Sequence, residues 1–136
     1  GIDPVRRGSL VHPVCHAIDM MPTILDATSV TPPEQRPFPF EGHSFLSLLK
    51  GSPAGRSAHD AIYWAHNKGK AVRAGDWKIV SESKGPWQLF RLPDDGTELH
   101  DLAAQMPERV KELAQRHAEW DAHTNLNLSS RKLETK

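Results

Sequence analysis

The sequence has a single cysteine and no excess of charge of either sign. One Cys among 136 residues excludes an internal disulfide framework and a four-cysteine zinc site. Seventeen Lys and Arg balance seventeen Asp and Glu, so the formal net charge is zero. The excess of positive charge that is typical of nucleic-acid-binding proteins and of membrane-surface proteins is therefore missing. No apolar run approaches the roughly 18 residues of a spanning helix. We therefore expect no nucleic-acid partner and no membrane span.

Residues 1–50 predict a strand and a helix that lack a sheet to cover them. The apolar run over residues 9–16 predicts a short strand. Apolar residues then recur at helical spacing: Ile18, Met21, Ile24 and Leu25. Because Pro22 is tolerated only in the first turn of a helix, we expect that helix to start near residues 19–21. A strand and a helix cannot bury their own apolar faces, so this segment requires a sheet that the chain does not supply.

Residues 60–125 predict an antiparallel meander closed by a helix, and hence an α+β fold. Four short strands separated by tight turns predict a four-stranded antiparallel sheet, and Asn67-Lys68-Gly69 is one of the turn signals. Pro107 suits the first position of a C-terminal helix, whose apolar stripe is expected to pack on one face of the sheet. Residues 51–59 read as a linker loop, and the polar residues 126–136 as a flexible tail.

The residue types that carry catalysis are present, but their spacing does not bring them together. His12 and His16 would lie about 13 Å apart on a strand, too far to hold one metal ion. The side chains of His59 and Asp60 diverge, so we expect both to be solvated. Cys15 lies in an apolar stretch with no nearby Lys or Arg, which predicts a buried, inert thiol. We therefore predict no catalytic residue and no metal site in this chain.

The tip of the first predicted hairpin carries the one candidate binding site. His66, Asn67 and Lys68 place an imidazole, an amide and an ammonium group on a loop held by two strands. Such a tip can contact an anionic or sugar-like ligand. A solvated polar turn is the alternative.

Five stretches, in order, resemble motifs of the sulfatase family. The family patterns are H-x-I-D-x-x-P-T-I/L-L, G-x-S-L, A-V-R-x-G-D-W-K-L-V, W-x-L-Y-D-L and E-x-x-D-L-A followed by P-E. The corresponding residues here are 16–25, 40–45, 70–80, 87–92 and 98–108. The resemblance covers about residues 9–123. Because five motifs occur in the expected order, it is specific to the C-terminal portion of an arylsulfatase-like enzyme.

The resemblance implies an alkaline-phosphatase-like parent, in which residues 1–50 are the tail end of the α/β catalytic domain and contain its last strand and helix. Residues 60–125 would form the C-terminal subdomain. The parent hydrolyses sulfate esters with a formylglycine and a calcium ion, and the formylglycine derives from a Cys/Ser-x-Pro-x-Arg motif. That motif is missing here, since Cys15 is followed by His-Ala-Ile, so no catalytic or metal residue carries over. The family hairpin approaches the active-site mouth, which makes His66, Asn67 and Lys68 candidate substrate contacts.

Three functions remain open from the sequence. The first is the C-terminal region of a sulfuric ester hydrolase, structural in role and inactive alone, with the remainder of the catalytic domain as its partner and a sulfate ester as the parent's substrate. The second is a stand-alone module that binds sulfated glycans. The third is a part of a phosphodiester or phosphonate hydrolase, because one fold can host several chemistries. Bacterial relatives suggest a periplasmic or extracellular compartment, which the sequence itself does not fix.

The unpaired strand predicted near residues 10–15 leads to a first testable expectation. Because an unpaired strand edge is a template for another chain, the isolated chain should form a homodimer or a swapped assembly. Size-exclusion chromatography with light scattering measures this directly. A monodisperse monomer at high protein concentration would contradict the prediction.

Overall fold

The computed structural model describes residue 8 and residues 12–34, 40–51 and 59–131, with side chains described as far as residue 124. The chain divides into two compact units, residues 1–60 and residues 61–136. Unit 1 contains α1 (Met20–Thr28), preceded by a 3-10 turn (Ala17–Asp19), and α2 (Leu46–Leu49). Unit 2 contains β1 (Ile62–His66), β2 (Gly69–Ala74), β3 (Trp77–Ser81), β4 (Gln88–Arg91) and α3 (Pro107–Arg131).

Helix α1 begins two residues before Pro22, as the position of this proline predicts. Pro22 is the third residue of the helix, so its missing N–H falls among the first-turn donors that have no intrahelical partner. The helix ends at Ser29, whose φ of 57° is left-handed and whose N–H donates back to the carbonyls of the last turn. The strand expected over residues 9–16 does not form in residues 12–16, whose backbone is irregular. Pro13 removes a ladder donor there, and residues 9–11 lie outside the described part.

The apolar side of α1 remains exposed. Four of the large apolar side chains in and just before the helix are each at least 40% accessible: Ile18, Met20, Met21 and Ile24. Most helices derive their stability from packing such a face rather than from intrinsic propensity. In the described part of unit 1, that packing is limited, so polar contacts near the start of α1 fix the position of this helix.

The meander predicted from the turn signals is confirmed. The strands lie in the order β1-β2-β3-β4, and each pair of neighbours is antiparallel. Asn67 with φ of 53° and Gly75 with φ of 57° make the two tight turns, and both residue types tolerate this left-handed backbone. The sheet and its turns position the hairpin tip that carries the candidate site residues.

The core of unit 2 is a single row of residues across the sheet, covered by α3. Val72 pairs with Ile79, and Ile79 pairs with Leu89, so the three side chains share one face. All three are fully buried, as is Leu113 of α3, which packs with them. The predicted helix from Pro107 is confirmed, and its backbone continues to Arg131. It therefore includes residues 126–131, which the composition assigned to the tail.

Leu113 should contribute more to the stability of unit 2 than any exposed leucine. Truncating this fully buried side chain with Leu113→Ala removes apolar contacts and leaves a cavity, so we expect a loss of about 2–5 kcal/mol in the free energy of unfolding. The same change at Leu99, which is 75% exposed, is the control and should cost less than about 0.5 kcal/mol. Urea unfolding followed by tryptophan fluorescence reports on unit 2, and equal losses for the two variants would contradict this account of the core.

Candidate functional site

The three predicted site residues lie at the exposed tip between β1 and β2. His66 is the last residue of β1, and Asn67 and Lys68 form the turn. The Nδ2 atom of Asn67 lies 3.0 Å from Nε2 of His66, so the amide and the imidazole are coupled by a hydrogen bond. The left-handed backbone of Asn67 fixes the direction of the turn. The tip is therefore ordered by its own polar contacts.

A concave surface connects this tip to the loop between β3 and β4. Its volume is about 650 Å³, and its lining includes Asn67, Lys68, Glu82 and Ser83. The backbone N–H of Lys84 donates to the carbonyl of Lys68 over 3.3 Å, which ties the two loops together. The structure thus brings Asn67 and Lys68 into one surface with an acidic and a hydroxyl side chain, whereas His66 is not among its lining residues.

A second polar cluster, in unit 1, is centred on a buried carboxylate. Asp19 accepts hydrogen bonds from the backbone N–H groups of His16 and His43, both at 2.8 Å. Its Oδ1 atom also lies 2.7 Å from Nε2 of His59. The side chains of Asp19 and His59 are only 3% and 7% exposed. The sequence-based expectation that His59 is solvated beside Asp60 is therefore wrong, because the imidazole turns inward to a carboxylate forty residues earlier in the chain.

The loop 42–45 docks against the start of α1 through close backbone contacts. The Thr23 hydroxyl donates to the carbonyl of Asp19 over 2.7 Å and accepts the N–H of Phe45 over 3.0 Å. A Cβ atom on Gly42 would lie 2.0 Å from the carbonyl oxygen of Ile18, so only glycine fits there. The D-x-x-P-T and G-x-S patterns are two sides of this one junction, and pairing them could have revealed the Asp19 cluster from the sequence.

The electrostatics of the cluster favour an ionised Asp19. Burial alone would raise the pKa of this carboxyl, but hydrogen bonds from the amides of His16 and His43 and from His59 outweigh it and hold the pKa below its ordinary value of 3.8. The ring of His43 lies 4.9 Å from that of His59. The nearby Ser44 hydroxyl donates to Asp26 over 2.7 Å rather than to a histidine, so this serine is not activated by an imidazole of the cluster.

Cys15 differs from its prediction. The thiol is exposed rather than buried, because residues 12–16 do not form a packed strand. Partial burial and the negative charge of Asp19 both raise its pKa, so it is a weak nucleophile despite its exposure. Within the described residues, no three His, Cys, Asp or Glu side chains converge into a group able to hold a metal ion. No helix in that part of the chain is long and apolar enough to cross a membrane.

Solved structures identify the class of fold. Ps i-CgsB superposes with a TM-score of 0.65 at 23% identity, over 79% of this chain and 24% of that one. BT4656, solved with its substrate D-glucosamine-2-N,6-O-disulfate, gives 0.60 at 21% identity, over 80% and 24% of the two chains. The phosphonate monoester hydrolase of Agrobacterium radiobacter gives 0.59 at 20% identity, over 83% and 26%. The four-stranded sheet with its helix is the α+β C-terminal region of the sulfatase fold.

Sequence comparison identifies the relatives. Arylsulfatase K of Xenopus laevis is 28% identical over 125 residues, and arylsulfatase K of Danio rerio is 27% identical over 121 residues. Each alignment covers 80% of this chain and 22% of the relative, so the chain spans about a fifth of the length of these curated proteins. No family model matches the sequence. The chain is similar in sequence to sulfatases, and its fold corresponds to the C-terminal portion of theirs.

Asp19 should hold unit 1 together through its charge. Replacing it by Asn keeps the shape but loses the charged acceptor of three hydrogen bonds, so we expect a loss of about 2–3 kcal/mol in the stability of α1. Since the folded pKa is lowered, the stabilisation by this carboxylate is complete above pH 3.8 and is lost as the pH falls through the lower folded value.

Hydrogen exchange of the α1 amides above and below that pH measures both effects. Asp60→Asn, at an exposed aspartate in the same unit, is the matched control and should exchange like the unchanged protein. Asp19→Asn should lack the acid-dependent step. An unaltered exchange rate in Asp19→Asn at neutral pH would show that the carboxylate does not hold the junction.

Proposed function

We propose that this chain completes the substrate cleft of a sulfate-ester hydrolase and supplies binding contacts rather than catalytic groups. The observation that carries the proposal is its similarity to sulfatases over about 80% of its length, in sequence and in fold. The sequence of this chain nevertheless lacks the Cys/Ser-x-Pro-x-Arg motif. Catalysis would then belong to the remainder of a sulfatase domain, which is the expected partner of this chain.

The two groups expected in a full-length parent do not fit the residues of this chain. A calcium ion requires several converging oxygen ligands, and the described residues contain no such cluster. A formylglycine requires the motif that is missing here. In this proposal, both groups are held by residues outside this chain.

The hairpin tip is the part of this chain that would meet the substrate. Lys68 presents an ammonium group and Asn67 an amide, and both can donate to sulfate oxygens or sugar hydroxyls. Glu82 on the facing loop can accept hydroxyl protons but would repel a second anion. A ring with one sulfate and neighbouring hydroxyls matches this set of groups better than a disulfated sugar such as the substrate of BT4656.

A phosphonate or phosphodiester substrate is the second candidate. The similarity in fold to a phosphonate monoester hydrolase supports it, because the same cleft geometry can serve either tetrahedral anion. A stand-alone module that binds sulfated glycans is the third. It would have to leave the apolar side of α1 exposed to solvent, which is unfavourable for an independent domain.

The coding DNA upstream of Gly1 and an activity assay of the purified chain test the proposal together. We expect an in-frame Cys/Ser-x-Pro-x-Arg motif upstream, and no turnover of 4-nitrophenyl sulfate or phenyl phosphonate esters by the isolated 136 residues. Turnover by the isolated chain would overturn the assignment of catalysis to other residues. A start codon beside Gly1 would overturn the cleft proposal and favour the glycan-binding module.

Lys68 should influence substrate binding in the full-length enzyme without acting in the chemical step. Lys68→Ala removes a charged donor at the cleft rim, so we expect KM for a sulfated sugar to rise about tenfold with kcat nearly unchanged, as for the loss of one charged hydrogen bond. Lys111→Ala, at an exposed lysine of α3, is the control and should leave both constants unchanged. An unchanged KM in Lys68→Ala would remove the hairpin tip from the substrate site.

A further inference from the structure

The face of the sheet opposite α3 carries a groove that the hairpin tip does not share. Side chains alternate along the strands, so the neighbours of the buried row on β2, Ala71 and Arg73, point away from α3. The groove has a volume of about 590 Å³, and its lining includes Trp64, Ala71, Arg73, Lys78 and Glu98. This size lies within the range of small-ligand sites.

The charges in this groove are not balanced. Arg73 and Lys78 stand directly opposite each other on β2 and β3, an arrangement that is destabilising for like charges. Glu98 lies 2.5 Å from Nζ of Lys78 and neutralises that cation. Arg73 donates only through Nε, to the carbonyl of Gly75 at 3.4 Å, and its terminal nitrogens have no hydrogen-bond partner among the described residues. One positive charge, with its paired donors, therefore remains for a ligand.

An indole ring flanks this guanidinium on the same face. Trp64 is 36% exposed, and its cross-strand neighbour is Ala71, whose single methyl group leaves room beside the ring. The backbone of Trp64 is anchored from the other face of the sheet, where Nε2 of the buried His117 lies 3.3 Å from its carbonyl oxygen. The backbone that carries the indole is thus held in place before any ligand binds, although the ring keeps its own side-chain torsions.

We propose that this groove binds a saccharide ring that carries one anionic group, either a carboxylate or a sulfate. The apolar face of the ring stacks on Trp64, the anion pairs with the terminal nitrogens of Arg73, and the Lys78–Glu98 pair receives the hydroxyl groups. Glu98 is the reason for choosing a sugar over an acidic peptide, since it accepts hydroxyl protons but repels additional carboxylates. The site goes beyond the proposed function because it shares no lining residue with the hairpin tip and requires no hydrolysis.

Titration of the purified chain with three sugars, followed by the NMR signal of the Trp64 indole N–H, tests the site. The probes are methyl glucuronide, glucose 6-sulfate and neutral glucose. We expect both anionic sugars to shift the signal, and glucose to bind at least about tenfold more weakly because it lacks the charged partner of Arg73. A response to one anion alone identifies the carboxylate or the sulfate as the ligand group.

Five variants separate this site from the hairpin tip and from a loss of structure. Arg73→Gln and Trp64→Ala should each weaken binding at least about tenfold, whereas Lys68→Ala and Lys111→Gln should leave it unchanged. Thermal unfolding of each variant checks that the sheet is intact. Arg73→Lys keeps the positive charge but loses the paired donor nitrogens of the guanidinium, so this variant should bind with intermediate affinity.

Three results would overturn the proposal. The first is the absence of any Trp64 shift with both anionic sugars. The second is an equal loss of affinity in Arg73→Gln and Lys111→Gln, which would indicate nonspecific charge attraction. The third is tighter binding of an acidic peptide such as acetyl-Asp-Asp-amide, which would make the groove a protein-docking surface. None of these results depends on the hairpin tip, so the proposed function is judged separately.

Discussion

The contact between α3 and one face of the sheet is the interaction on which unit 2 depends. Leu113 packs on a row of fully buried residues contributed by three strands, Val72, Ile79 and Leu89. Because strand side chains alternate, fixing this row toward α3 also fixes which residues point the other way. Trp64, Arg73 and Lys78 are on the opposite face for this reason. The groove that they line follows from the packing of a leucine on the far side of the sheet.

Unit 1 is organised differently, since its helix has little apolar cover in the described residues. The carboxylate of Asp19 forms hydrogen bonds with groups from three parts of the chain: the residues before α1, the loop at His43, and His59. Gly42 permits the loop to approach the backbone of Ile18 closely enough for these bonds to form. A buried ionised group of this kind gives geometric specificity rather than a large net gain in stability. The exposed side of α1 is consistent with a segment whose remaining contacts belong to a larger fold.

The sequence predicted the elements that depend on local rules and missed those that depend on distant pairing. The tight turn at Asn67, the first-turn proline of α1 and the start of α3 at Pro107 follow from backbone chemistry, and the structure confirms them. The hydrogen bond between Asp19 and His59 spans forty residues and has no local signature, so the sequence alone predicts a solvated His59. The strand near Cys15 was predicted from apolarity alone, and residues 12–16 do not form it. A strand requires a neighbouring strand as well as a suitable composition.

Acidic and basic side chains have different environments in the described residues. A general acid or base must be free to exchange its proton, yet three aspartates among the described residues accept hydrogen bonds from backbone amides. Asp19 receives two such amides, Asp95 receives those of Leu99 and His100, and Asp101 receives those of Leu89 and Ala103.

The amide bonds hold the pKa values of Asp19 and Asp95 below their ordinary range, which keeps both ionised and weakly basic. Cationic donors such as the ammonium group of Lys68 and the terminal nitrogens of Arg73 instead lie on open concave surfaces. The carboxylates of Asp19 and Asp95 thus have structural roles, whereas the cationic groups of Lys68 and Arg73 are accessible to an anion.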